Sequence, residues 1–124
     1  MRFVMILSLV FCSVGLRAHE WTPTYPELNQ SYVESVLVAE MELWNGRQDV
    51  EYYQINVWDS EWNPVPFAIA QRVVRVKYLS RMDVNIYIRK SDSERVTYIC
   101  SRSKLVKDSG TKALIASRIC SKIK

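Results

Sequence analysis

Glycine and proline are scarce in this chain, 3 and 4 residues of 124, while 48% of residues are hydrophobic and 24% charged. That balance excludes collagen-like repeats, flexible linkers and intrinsic disorder, and the length leaves room for one small domain. There is a single histidine, so no histidine-based metal cage can form. No glycine-rich phosphate loop, no Ser-His-Asp set and no metal-spaced His or Cys cluster occurs, which argues against an enzyme, a bound metal or a cofactor. No repeat or low-complexity tract is found, and no apolar run reaches the roughly 20 residues that a bilayer span needs. What is abundant is Tyr, Trp, Val and Ile, the residues that suit pleated, half-buried strands.

The longest apolar stretch, Phe3 to Leu16, follows the positive start Met1-Arg2 and is itself followed by small residues at Gly15 and Ala18. This is the three-part layout of a secretory signal peptide, assigned here to residues 1–18, with cleavage after Gly15 as the alternative to cleavage after Ala18. Cys12 lies inside the apolar run behind Phe11, which argues against lipidation, so no membrane anchor is expected after processing. Removing Arg2 and Arg17 leaves 15 basic against 13 acidic residues, a net of +2. The signs are interspersed, and nucleic-acid binding, which needs a concentrated basic stripe, is not expected. The protein is expected to be periplasmic or secreted.

Processing also removes Cys12 and leaves Cys100 and Cys120 as an even pair in an oxidising compartment, so a disulfide is the expected state. Two β-prone runs, Arg95 to Arg102 and Ala113 to Lys122, flank the turn-rich segment Lys107 to Lys112 and read as a hairpin. Folded symmetrically about Gly110, that hairpin places Cys100 directly opposite Cys120, with Cβ atoms roughly 4.5–5.5 Å apart. His19 is too far along the chain to make the cysteines a zinc site or a nucleophile with its base.

Residues 19–30, with Pro23 and Pro26 and little periodicity, read as an extended leader, and the globular domain is set at 31–124. Period-two alternation then marks successive strands. Leu37, Ala39, Met41 and Leu43 share one face of Val36 to Trp44, with Glu40 and Glu42 on the other, and Asn45-Gly46 marks a turn. Tyr53, Ile55 and Val57 share a face of Glu51 to Trp58. Val74, Val76 and Tyr78 do so within Phe67 to Leu79, and Val84, Ile86 and Ile88 within Asp83 to Arg89. A short strand near Ser31 to Glu34 and the cysteine hairpin bring the count to about seven, the pattern of a single all-β, immunoglobulin-like β-sandwich. A helix over Tyr32 to Leu43 is the alternative local reading, since Glu, Ala, Met and Leu are good helix formers.

Several features point to chemistry only weakly. Trp44 and Trp58 fall on the polar rows of their strands and could form an aromatic binding patch or be covered by other chain segments. The Asp49, Glu51, Asp59 and Glu61 carboxylates sit on turns without partners that would separate their pKa values, and read as solvated charges. Asn29-Gln30-Ser31 is a glycosylation triplet with meaning only in a eukaryote.

Leu43-Trp44-Asn45, Tyr53-Gln54, Val57-Trp58, Pro66-Phe67-Ala68-Ile69 and Val74-Arg75-Val76 together resemble the first domain of periplasmic pilus-assembly (PapD-like) chaperones, over residues 31–124. The resemblance implies an immunoglobulin-like fold whose last strand donates a row of side chains to an incomplete partner subunit, with backbone hydrogen bonds extending the sheet. Some members also join their last two strands by a disulfide, as proposed for Cys100 and Cys120. Carried onto this sequence, the donor row is Ala113, Ile115, Ser117 and Ile119, and Lys122 matches a lysine that holds the subunit's terminal carboxylate. The family's arginine near the first strand has no counterpart, since no arginine lies between His19 and Trp44. The expected function is a single-domain, non-catalytic protein that binds a protein partner through an edge strand, in pilus or secretion-apparatus assembly. The alternative is a structural or adhesion domain that uses Trp44 and Trp58 on a sheet face.

Overall fold

Alternation decides the architecture, because a chain whose every second residue is apolar can bury one face of a sheet and solvate the other. A computed structural model describes residues 19–104 and 116–124. Eight strands and one helical turn follow in order among them: β1 (His19–Thr22), β2 (Asn29–Gln30), β3 (Val36–Asn45), β4 (Tyr52–Trp58), β5 (Val73–Arg75), β6 (Arg81–Arg89), α1 (Lys90–Ser93), β7 (Tyr98–Lys104) and β8 (Arg118–Lys122). They form two antiparallel sheets. In one, β3 pairs with β6 along its length, while β1 and β2 share its other side; the second runs β5-β4-β7-β8. The inward rows meet between the sheets: Ala39, Met41 and Leu43 with Val84, Ile86 and Ile88 from one side, and Tyr53, Ile55, Val57 and Ile99 from the other, all nearly solvent-free. The fold is the expected immunoglobulin-like sandwich. Tyr32 to Leu43 does not become a helix; β3 begins at Val36.

The segment expected to be a leader belongs to the sandwich. His19 and Trp21 alternate inward from β1 and are 4% and 3% exposed, and β1 pairs with the end of β3 with Trp21 opposite Leu43. The Trp21 indole N–H donates to the Ile99 carbonyl at 3.0 Å, a buried bond that ties one sheet to the other. Four residues with one large apolar side chain give no periodic signal, so this strand is specified by tertiary partners.

Three other expectations change locally. Ser31 to Glu34 is a turn and the short strand lies just before it at Asn29–Gln30, because Ser31 Oγ and Gln30 Nε2 donate to the Val33 and Val36 carbonyls and hold the chain bent. Within Phe67 to Leu79 only Val73–Arg75 is a strand. Val76 stays buried, but Tyr78 is exposed on a turn in which Leu79 adopts φ 59° and its amide donates to the Asn45 carbonyl. The polar segment after β6 closes into one helical turn, secured by Ser93 Oγ donating to the Lys90 carbonyl.

Asn45 does more than mark a turn. It is fully buried; its Nδ2 donates to the Val50 and Val76 carbonyls at 2.7 and 2.8 Å, and its Oδ1 accepts from the Arg47 amide and the Tyr53 hydroxyl. A buried amide with every group partnered fixes three chain segments at once.

Candidate partner-binding edge

The last hairpin forms with the register that symmetry about Gly110 predicts: Tyr98 opposite Lys122, Ile99 opposite Ser121, Cys100 opposite Cys120 and Arg102 opposite Arg118. Its turn, and with it Ala113 and Ile115, lies outside the described residues. Cys100 and Cys120 are bonded, with Cα atoms 4.1 Å apart, and join β7 to the middle of β8.

β8 is the end strand of its sheet. Ser103 N donates to the Ser117 carbonyl and Ile123 N to the Thr97 carbonyl, so the odd-numbered peptide groups of this strand face β7. The even-numbered ones face away, by the alternation of antiparallel pairing. Further along, that outer side is covered: the Lys122 and Lys124 amides donate to the Thr24 and Pro26 carbonyls, and Ser121 Oγ to the Pro23 carbonyl. The amides of Arg118 and Cys120 have no partner among the described residues. The opposite end of the other sheet is partly bridged, where Ala68 and Tyr87 exchange both backbone bonds, and β5 has only three residues.

Two side-chain clusters hold this edge in place. On the inner side, the His19 ring is clamped between strands, with Nε2 at 2.9 Å from Ser101 Oγ, Nδ1 at 3.1 Å from Ser117 Oγ and its face 4.7 Å from the Tyr53 ring. Burial pushes the His19 pKa down to about 4; the Ser101 backbone opposes that shift and the Arg47 charge adds to it. Burial likewise pushes Tyr53 up to about 12. Arg47 is itself held by Asp49 through bonds of 2.8 and 2.6 Å, and its Nη1 lies 3.5 Å from Ser103 Oγ on β7.

On the outer side, Trp62 stacks on Tyr98 with centroids 4.4 Å apart and planes 4° from parallel, while the Arg118 guanidinium lies 5.0 Å from the Trp62 ring. Trp58 contacts the same ring at 6.4 Å. Tyr98 and Arg118 sit on either side of the disulfide in the register, so a ring touching both spans it; Cys100 is 1% exposed although it lies on the outward row. Trp62 adopts φ 64°, a left-handed conformation that costs a bulky residue about 1 kcal/mol or more. The stack and the cation–π contact are together worth a similar amount, on the order of 1–2 kcal/mol. Trp62→Gly is therefore expected to leave stability little changed, because lost contacts and relieved strain offset each other. The same variant should speed native-state reduction of the disulfide by a thiol several-fold, followed by mass; an unchanged rate would mean the ring is no shield.

The structure distributes the residues singled out by sequence as follows. Ser117 and Ile119 lie on the inward row, Ser117 bonded to His19 and Ile119 packed against the core. A charged residue at 119 therefore acts on the fold and cannot isolate binding. Lys122 is exposed on the outward row, but its amide is used by Thr24. Trp44 and Trp58 do not form one patch: each points outward from its own sheet, β3 in one and β4 in the other, so they occupy opposite faces of the sandwich. Trp62 and His19, which sequence reasoning left without a role, are the side chains that organise the edge. Among the described residues no helix is long and apolar enough to cross a membrane.

No protein-family model and no curated protein matches the chain. Solved structures do match, among them the crystal structure of the E. coli chaperone DraB. The two superpose with a TM-score of 0.63 at 15% identity, over 86% of this chain and 53% of that one. The likeness is one of fold, and this chain spans about half the length of that structure.

Proposed function

We propose that this protein is an extracytoplasmic, non-catalytic binding module that takes up an extended segment of a partner protein at the open side of β8, in the assembly of a surface or secretion structure. The observation that carries the reading is the pair of outward amides at Arg118 and Cys120, without partners among the described residues, on a strand that a disulfide and two side-chain clusters hold in place. An exposed, rigid edge is what strand addition requires, and proteins that do not use such an edge usually blunt it. The chaperone fold and the disulfide support the assignment of compartment and class. Trp44 and Trp58 sit on opposite faces, which speaks against a single sheet-face site built from the two.

Proline on the edge tests the reading. Ala116 is exposed just before β8 and its amide has no partner among the described residues, so Ala116→Pro removes a donor on this edge that no described residue uses. Cross-linking in the extracytoplasmic fraction of the source cell should trap a partner with the native protein and with Trp44→Ala, and lose it with Ala116→Pro. Retention by the folded proline variant, with loss in Trp44→Ala, would overturn strand addition in favour of the sheet face.

A further inference from the structure

Charges that alternate in the sequence are sorted by the fold. The outward row of β7 and β8 carries Arg102, Lys104, Arg118 and Lys122, all exposed, and none of them has a carboxylate partner among the described residues. The outer face of the other sheet carries Glu20, Glu40, Glu42 and Asp83 against Arg81, which pairs with Glu42 at 2.6 Å, and Arg89, which pairs with Asp92 at 2.8 Å. The formal net charge of +4 conceals a domain with one basic and one acidic face.

The basic row is arranged unfavourably for a protein on its own. Arg102 and Arg118 stand directly opposite each other, in a position between backbone-bonded pairs where side chains approach most closely. Like charges so placed repel. Arg118 cannot swing freely away, because its guanidinium rests over Trp62. A strand added at the outer side of β8 would place every second side chain on this same face, next to Arg118 and one strand from Arg102.

We propose that the outer face of β7 and β8 is a docking surface for an acidic extended segment of a partner protein, added to β8 with carboxylate side chains on the row beside Arg118 and Arg102. The proposal rests on the edge-strand reading above and supplies the chemistry of the partner: alternating acidic residues on one side of the segment, apolar or small ones on the other. The carboxylates relieve the arginine pair, and long-range attraction speeds encounter.

The test uses short synthetic peptides of alternating valine and glutamate, valine and lysine, and valine and threonine, with binding followed by fluorescence anisotropy and amide exchange at Arg118 and Cys120 followed by NMR. The valine–glutamate peptide should bind about tenfold or more tighter than the lysine peptide at low salt, lose much of that margin near 0.15 M salt, and slow exchange at both amides. Arg102→Glu with Arg118→Glu, both at exposed positions, should reverse the preference between the two charged peptides. Equal binding of all three peptides with both amides protected would overturn the acidic partner and leave the edge reading intact. Binding of the glutamate peptide without amide protection would overturn strand addition itself. Concentration-dependent self-association that disappears on reversing either Arg102 and Arg118 or Glu40 and Glu42 would identify the occupant as a second copy's acidic face and overturn the proposal.

Discussion

Cys100→Ala combined with Cys120→Ala is expected to lower the stability of the domain by about 3 kcal/mol, the chain-entropy estimate for releasing a loop of 20 residues. In a domain of this size that is a large part of the total, and the midpoint of thermal unfolding should fall by roughly 10–20 °C. Alanine is the informative replacement, because Cys100 is buried and a serine hydroxyl there would add its own desolvation cost. The loss should not be spread evenly. Among the described residues β8 has one backbone-paired neighbour, and its other side is tied only from Ser121 onward, so amides that donate to β7 near Cys120 should exchange faster in the variant than those of β3 and β6. A partner that needs a ready-made edge would then bind more weakly in proportion, since the edge must be ordered first. Thermal melts and amide exchange on the oxidised protein and the alanine variant check both statements. Coincident melts would show that β8 is held by backbone pairing and the His19 clamp alone.

The parts of the fold visible in the sequence are those where burial repeats locally. Tyr53-Ile55-Val57 and Val84-Ile86-Ile88 declare their faces because they recur at every second position, with Gln54, Asn56 and Asn85 between them, and the cysteine register follows from symmetry about a turn. What stayed invisible depends on contacts across long sequence separations. His19 meets Ser101 and Ser117, 82 and 98 residues away, and Trp21 meets the Ile99 carbonyl, 78 residues away; no local pattern encodes those pairings. Of the expected donor row, Ala113 and Ile115 lie outside the described residues. Ser117 and Ile119 do share a face, and it is the face that fills their own domain. The basic and acidic faces were concealed for a related reason. Arg102 and Lys104 alternate with buried serines, and Glu40 and Glu42 with buried Met41 and Leu43, so each row looks like ordinary solvent-facing polarity until the strands are assigned to opposite sheets. Net charge sums over both faces and discards the arrangement that matters for a partner.

Acid is expected to destabilise the protein between about pH 6.5 and 4. Burial lowers the His19 pKa to about 4 in the folded state, from an ordinary value of 6.5. Above about pH 6.5 the ring is neutral in both folded and unfolded chains, and its contribution is fully present. Between about 6.5 and 4 the unfolded chain binds a proton that the folded one refuses, so stability falls as pH falls; below about 4 both forms are charged and the loss levels off at about 3 kcal/mol. The paired carboxylates, Asp49 and Asp92, are shifted below 3.8 by their arginine partners and act only beneath that window. The groups around the ring explain why the proton is unwelcome: the Ser101 and Ser117 hydroxyls and the Tyr53 ring offer no negative charge, and the Arg47 guanidinium adds repulsion. Urea unfolding at a series of pH values checks the size of the loss, and His19→Gln, which can still bond a serine hydroxyl, should flatten the curve. If the glutamine variant keeps the full slope, the acid sensitivity lies elsewhere. Since His19 also ties Ser117 at the start of the edge, protonation should loosen β8 first, raising exchange at the Ser117 amide that donates to Ser103 Oγ at 2.8 Å.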